Sequence, residues 1–191
     1  MEKFFNFVNT ITSLSEDSVK ELKEILVLKK HFAKEHICQI NSIPTKVFFL
    51  ISGVVRFYTL LPNGNQYTRN IYTDGNIMGS FTALVENKES KYALQCLTDC
   101  EIIECDYKDF KALADKNLDV AIFNRKYLEM LYVGYINRNI EFLTLNATER
   151  FLSLKNRIPT IESILSQKQI ATHLAITPIQ LSRIKSKILY Q

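Results

Sequence analysis

The stretch Ser166-Gln167-Lys168-Gln169-Ile170-Ala171-Thr172-His173-Leu174, followed by Ala175-Ile176-Thr177 and then Pro178-Ile179-Gln180-Leu181-Ser182-Arg183-Ile184-Lys185-Ser186-Lys187-Ile188-Leu189, decides the fold. The first nine residues predict a short helix. Thr177 suits an N-cap because its hydroxyl can accept a free amide, and Pro178 suits the first helical position, where a missing N–H costs little. From Pro178 to Leu189, Leu181, Ile184 and Ile188 recur at spacings of three and four and make a buried face. Gln180, Ser182, Arg183, Ser186 and Lys187 are left largely outside it. Two short helices joined by a tight turn, the second with a polar and basic outer face, are a helix-turn-helix arrangement.

Charge singles out the same end of the chain. Residues 148–191 hold seven Lys/Arg against Glu149 and Glu162, whereas the other 147 residues carry 17 basic and 18 acidic groups. A near-neutral body with a basic end suits a polyanion partner, although solvated helices also carry such a surplus. Thr148-Glu149-Arg150-Phe151 opens a further helix, which Ile158-Pro159 closes.

Upstream, Leu118 to Leu145 predicts one uninterrupted helix of roughly 40 Å at 1.5 Å per residue. Ala121, Leu128, Tyr135 and Phe142 recur at seven-residue spacing, flanked by Leu131, Tyr132, Ile136 and Leu143. The stripe is wider than one contact needs. One side is expected to pack on the preceding domain and the other to meet a partner helix, through Ala121, Leu128, Leu131, Tyr135 and Phe142. A helix wholly buried within one monomer is the alternative.

Before that helix the periodicity changes. Glu16 to Leu26 forms a helical lead with Val19, Leu22, Ile25 and Leu26 on one face, and residues 27–105 form short strands broken by turn signals. The clearest hairpin joins 54–59 to 67–72 through Pro62-Asn63-Gly64-Asn65, where Asn-Gly supplies the positive φ angles of a tight turn. Many short strands with regular turns mean a sandwich or barrel. Asp106 to Leu113 adds a short helix.

Composition excludes several classes. The 191 residues are 47% apolar and 23% charged, with a net charge of +4, as in a globular protein. The longest apolar run, Val47 to Ile51, is far below the ~18 residues of a membrane span. Nothing in Met1-Glu2-Lys3-Phe4-Phe5-Asn6 resembles an export signal, so the expected place is the cytoplasm. Cys38, Cys96, Cys100 and Cys105 match neither a metal nor a cluster spacing, and reduced structural thiols are expected. With only His31, His36 and His173, and no Gly-x-Ser-x-Gly, phosphate-cradling loop or His-Glu-x-x-His, neither an enzyme nor a metal site is expected.

Ile170-Ala171-x-x-Leu174-x-Ile176-Thr177-Pro178-x-x-Leu181-Ser182-Arg183-Ile184 resembles the helix-turn-helix of the Crp/Fnr transcription regulators, and the order of parts is similar along nearly the whole chain. Phe49-Leu50-Ile51-Ser52-Gly53-Val54-Val55-Arg56 resembles the family's strand-Gly-strand, and Gly64, Gly75 and Gly79 fall where its turns take glycine. The resemblance implies an α+β fold: a double-stranded β-helix, jelly-roll-like sensor domain over 1–117, a dimerisation helix over 118–146 and a helix-turn-helix domain over 147–191. The sequence ends at Gln191, just past the second helix, so the family's β-wing is expected to be absent or reduced.

By the family's pattern the N-terminal part of that helix enters the major groove. This places Thr177, Pro178, Gln180, Ser182 and Arg183 nearest DNA, Lys185 and Lys187 further along, and Lys168 on phosphate. A guanidinium at Arg183 can hold both guanine acceptors, and Gln180 can hold adenine in the same way. Pro178 stands where the family often has a base-reading side chain.

The family's phosphate-binding cassette runs Gly-Glu-x-x-Ala/Gly-Leu and then Arg-Ser/Thr-Ala. Its Glu accepts from the ribose, its Arg pairs with the cyclic phosphate, and amides at a short helix N-terminus complete the anion site. Here the stretch is Gly79-Ser80-Phe81-Thr82-Ala83-Leu84, continuing to Ser90-Lys91-Tyr92-Ala93. Ser80 replaces the Glu and Ser90 the Arg. Lys91 is adjacent, but it cannot reproduce the fork and neighbours in a strand face opposite sides. The resemblance therefore implies a pocket at Gly79, Ser80, Phe81, Thr82, Ser90 and Lys91 that does not bind cyclic nucleotide in the usual way. Another effector or no ligand role are left open.

The expected function is a homodimeric, sequence-specific regulator with double-stranded DNA as partner, no cofactor and no membrane contact. RNA polymerase and a small-molecule effector are further candidate partners. The alternative is a small-ligand-binding protein of cyclic-nucleotide fold whose C-terminal helices are an interaction module.

Overall fold

The computed structural model describes residues 1–189. Two helices, α1 (Glu2–Ile11) and α2 (Glu16–Ile25), precede strands β1 (Leu26–His31), β2 (His36–Cys38), β3 (Lys46–Ser52), β4 (Val55–Leu60), β5 (Gln66–Tyr72) and β6 (Ile77–Met78). A one-and-a-half-turn helix α3 (Phe81–Glu86) leads into β7 (Ala93–Cys96) and β8 (Cys100–Asp106). The rest is helical: α4 (Tyr107–Ala114), α5 (Leu118–Thr144), α6 (Ala147–Arg157), α7 (Ile161–Ile164), α8 (Gln167–His173) and α9 (Pro178–Leu189).

The strands form two antiparallel sheets, ordered β1-β8-β3-β6 and β2-β7-β4-β5. Alternation along each strand divides the side chains between two faces. Phe48, Leu50, Met78 and Ile102 of the first sheet meet Val55, Phe57, Leu94 and Cys96 of the second in the roll's interior. The odd-numbered partners, Phe49, Ile51, Ile103 and Cys105, face outward and are covered by Phe4 and Val8 of α1 and Phe123 of α5. Register is pinned at Gly53, whose φ is +108° and where a Cβ would stand 2.6 Å from both the Asp99 carbonyl and the Cys100 sulfur. All four cysteines are buried free thiols.

Two details depart from the sequence reading. α1 was not anticipated; its Phe4 and Val8 lie one turn apart and bury together against the first sheet. The β4–β5 connection is a three-residue loop rather than a two-residue Asn-Gly turn. Gly64 N–H donates to the Leu61 carbonyl and Leu61 N–H to the Asn65 carbonyl, each at 2.8 Å, and Gly64 has φ +78° while Asn63 keeps a negative φ. One left-handed residue after a type I turn suffices for this loop length.

α5 runs 27 residues from Asn117, whose side chain caps the Asp119 and Val120 amides. Asp119 in turn accepts from Ser15 N–H and the Ser18 hydroxyl, both at 2.9 Å, tying α2 to the start of α5. Only Val120 and Phe123 are fully buried, on the side facing the roll.

The C-terminal helices build a core from Phe151, Leu154, Ile161, Leu165, Ile170, Leu174, Leu181 and Ile184, and this core also contains Val54 and Ile71 of the second sheet. The helix-turn-helix thus packs directly on the outer face of the roll. Arg138 of α5 reinforces that contact, donating to Asn70 Oδ1 at 2.6 Å and to His173 Nε2 at 2.7 Å. His173 Nδ1 donates to the Thr68 carbonyl at 3.1 Å.

Candidate functional site

Capping sets the geometry of the helix-turn-helix. Ser166 opens α8 with a capping box to Gln169. α8 ends in a Schellman turn: Ile176 N–H donates to the Ala171 carbonyl at 3.0 Å, Ala175 N–H to the Thr172 carbonyl at 3.2 Å, and Ala175 has φ +56°. Thr177 then starts α9, its hydroxyl accepting from Gln180 N–H while Gln180 Oε1 accepts from Thr177 N–H at 2.8 Å.

With Leu181 and Ile184 buried, the opposite face of α9 stands in solvent. Thr177, Pro178, Gln180, Ser182, Arg183 and Lys187 are all exposed, as is Lys168 at the start of α8. Arg183, Lys187 and Lys168 make no ion pair among the described residues. Two anticipated contacts are placed differently. Lys185 turns inward and pairs with Glu162 at 2.9 Å, and the Gln180 carbonyl is engaged in the cap, leaving its amide nitrogen free. Ile179 was missed. It is 67% exposed and lies three and four residues before Ser182 and Arg183, so helical spacing alone puts it on their face.

The cassette is arranged otherwise. Ser80 and Ser90 are both buried, with hydroxyls 2.7 Å apart, and Ser90 Oγ donates to the Tyr92 carbonyl at 2.7 Å. Phe81 and Thr82 are exposed, Phe81 lying edge-on to Tyr107, and Lys91 points to solvent. Gly79 lacks a positive φ; a Cβ there would press on Leu84 at 3.3 Å. Next to the serines, Phe57 stacks on Tyr92 with ring centroids 4.5 Å apart, and Tyr72 closes on Phe57 at 6.3 Å. The interior therefore offers stacked rings and two mutually bonded hydroxyls, and the Arg69 guanidinium stands 5.9 Å from the Tyr92 ring.

Along α5 the seven-residue series drifts, because a straight helix falls about 20° behind a 3.5-residue repeat in each heptad. Ala121 and Leu128 are half-buried, Leu131 and Tyr135 are exposed, and Phe142 lies under the Arg150 guanidinium, 5.3 Å from its ring. Beyond Leu128 the open apolar stripe passes to Tyr132, Ile136 and Leu143, of which Tyr132 is 66% and Leu143 85% exposed.

Where these regions meet, burial and the adjacent Arg138 guanidinium push the His173 pKa down to about 3. The ring is neutral at physiological pH, with Nδ1 as donor and Nε2 as acceptor. Elsewhere in the roll, burial would raise the Glu104 carboxyl, but hydrogen bonds from Lys46 and Lys29, at 2.6 and 3.0 Å, outweigh it and hold its pKa below the usual range.

Residues 28–117 match the family model of the cyclic nucleotide-binding domain. The nitrogen fixation regulation protein FixK of Bradyrhizobium diazoefficiens is 24% identical over 195 residues, covering 95% of this chain and 81% of that protein. The solved FixK2 from Bradyrhizobium japonicum superposes with a TM-score of 0.70 at 18% identity, covering 87% of this chain and 86% of that one. A protein from Eubacterium rectale assigned to the crp/fnr family of transcriptional regulators gives 0.74 at 15% identity, with 97% and 88% covered. Among the described residues no helix is long and apolar enough to cross a membrane. Residues 28–117 carry a cyclic nucleotide-binding domain, and the roll, the long helix and the helix-turn-helix together have the fold of the solved Crp/Fnr regulators.

Proposed function

We propose that the chain is a homodimeric, sequence-specific DNA-binding transcription regulator, with no catalytic activity of its own, acting in the cytoplasm and contacting RNA polymerase. Its parts divide as a sensor over 1–117, a dimerisation helix over 118–146 and a DNA-binding domain over 147–191. The observation that carries this reading is the outer face of α9, where Arg183 and Lys187 stand exposed and unpaired beside Ser182 and Ile179. Charged donors that the protein leaves without acceptors suit phosphates and guanine edges. Dimerisation is supported by the apolar stripe through Tyr132, Ile136 and Leu143, since exposed apolar surface of this extent marks an interaction site. The roll keeps the family's frame, but the bonded Ser80–Ser90 pair does not suit cyclic AMP.

In this reading Arg183 reads a base and Lys187 and Lys168 touch phosphate. Ile179 lies against a thymine methyl. Titrations of a selected operator and of random duplex test the assignment. Arg183→Ala is expected to weaken operator binding by about 2 kcal/mol, roughly thirtyfold, and random duplex far less. Lys187→Ala should weaken both alike and reduce the salt slope by about one. Unchanged binding in both variants would move DNA off α9 and favour a ligand-binding protein with a C-terminal interaction module.

A further inference from the structure

The first turn of the second helix is the part of a helix-turn-helix that meets base edges, and in α9 its polar groups are engaged with one another. Thr177 Oγ accepts from Gln180 N–H at 3.2 Å and donates to Gln180 Oε1 at 3.2 Å, and Gln180 Oε1 also accepts from Thr177 N–H at 2.8 Å. Both lone pairs of that carbonyl are therefore in use, and the two-point contact of a carboxamide with adenine needs one of them. Pro178 has neither an N–H nor a polar side-chain atom.

What this turn presents instead is Ile179, 67% exposed. Ser182 and Arg183 follow it by three and four residues and are also exposed, so the three side chains share one face. Leu181 and Ile184 belong to the buried core beneath, and Ile179 stands outside it. An apolar side chain does not tell a donor from an acceptor. In the major groove the apolar feature of a base pair is the C5 methyl group of thymine, and 5-methylcytosine carries the same group at the same ring position. Thymine O4 and the cytosine N4 amino group separate these two bases, and Ile179 has no atom that reads either.

We propose that Ile179 makes operator recognition respond to a pyrimidine methyl group, so that 5-methylcytosine stands in for thymine at the position it faces and a duplex methylated there is a better ligand than its unmethylated counterpart. This deepens the DNA-binding reading above and rests on it. Cytosine methylation then becomes an input to the regulator that needs no small-molecule effector.

The test uses the full chain and an operator selected from random duplex. Each thymine of a half-site is replaced in turn by deoxyuridine, which lacks only the methyl group. One position is expected to lose about fourfold in affinity, the worth of one methyl group taken out of contact. Cytosine and 5-methylcytosine, each opposite guanine, are then compared at that position, and the methylated duplex should bind about fourfold tighter. Both ratios should fall to about one in Ile179→Ala, a change at an exposed position to a better helix former. A half-site in which no thymine responds to loss of its methyl group, a response unchanged in Ile179→Ala, or equal binding of cytosine and 5-methylcytosine would overturn the proposal. Arg183→Ala and Lys187→Ala, measured on the same operator, keep the two readings apart. If neither changes binding, or if no operator can be selected, DNA does not lie on α9 and both readings fail; a loss in Arg183→Ala beside indifference to the methyl group removes only the present one.

Discussion

The cassette and the outer face of α9 occupy positions that the Crp/Fnr pattern assigns to contact, yet they treat polar groups in opposite ways. In the cassette, Ser80 and Ser90 bond to each other, Ser90 also donates to the Tyr92 carbonyl, and the Tyr92 ring beside them stacks on Phe57. On α9, Arg183 and Lys187 extend into solvent with no acidic partner among the described residues. Polar side chains in one such region can thus satisfy each other while those in another are left to the solvent. Unpaired charge, more than position in the pattern, distinguishes a surface that can take a charged ligand from one that cannot.

The strongest way to break this contrast is to reopen the cassette. Ser90→Arg places a guanidinium at a site that is 1% exposed and whose present partners are the Ser80 hydroxyl and the Tyr92 backbone. We expect a loss of about 3 kcal/mol or more in denaturant unfolding and no gain of cyclic AMP binding by calorimetry. A stable variant that binds cyclic AMP would show that the pocket is open and lacks only its cation.

Acid sharpens the contrast at the seam between the two regions. His173 has a folded pKa depressed from 6.5 to about 3. Between those values the unfolded chain binds the extra proton, so stability rises with pH through this window and is lost on acidification. At pH 5.5 the His173 contribution to the loss is about 1.4 kcal/mol relative to pH 7.5 and above. His173→Gln should flatten that part of the stability–pH curve, and a curve equally steep in the variant would assign the effect to another group.

The smallest effect concerns the turn that aims α9. Ala175 holds a left-handed φ of +56° where the Schellman turn usually has glycine. Ala175→Gly is expected to stabilise the protein by roughly 0.5–1 kcal/mol, net of glycine's greater freedom in the unfolded chain. A fall in the unfolding midpoint would mean that packing of the Ala175 methyl group outweighs the backbone term.

Legibility in the sequence followed the range of the interactions. α5 and α9 agree with expectation to within a residue at each end, because helical periodicity and caps such as Thr177–Gln180 are local. The ten-residue α1 went unread because its apolar pair finds meaning only against Phe49 and Phe123, far along the chain. The inward turn of Lys185 depends on Glu162, and the two helices that carry them are joined by neither spacing nor motif. The cleft lined by Arg69, Arg138 and Ala175 between the second sheet, α5 and the turn before α9 draws on three elements and has no linear signature. The serine substitutions in the cassette were visible; that stacked Phe57 and Tyr92 occupy the adjoining interior was not.

One core, shared by Val54 and Ile71 with Phe151, Leu181 and Ile184, has a consequence for biogenesis. Ribosomal synthesis delivers the strands first, at roughly 5–20 residues per second, and the helices after α5 last. Those helices complete their core only by docking on a sheet that is already paired. Until then Phe151 and its neighbours lack Val54 and Ile71, so the nascent chain passes through a stage in which roughly its last quarter depends on the roll as a template. Slow or faulty strand pairing would leave that apolar surface open to aggregation or chaperone capture.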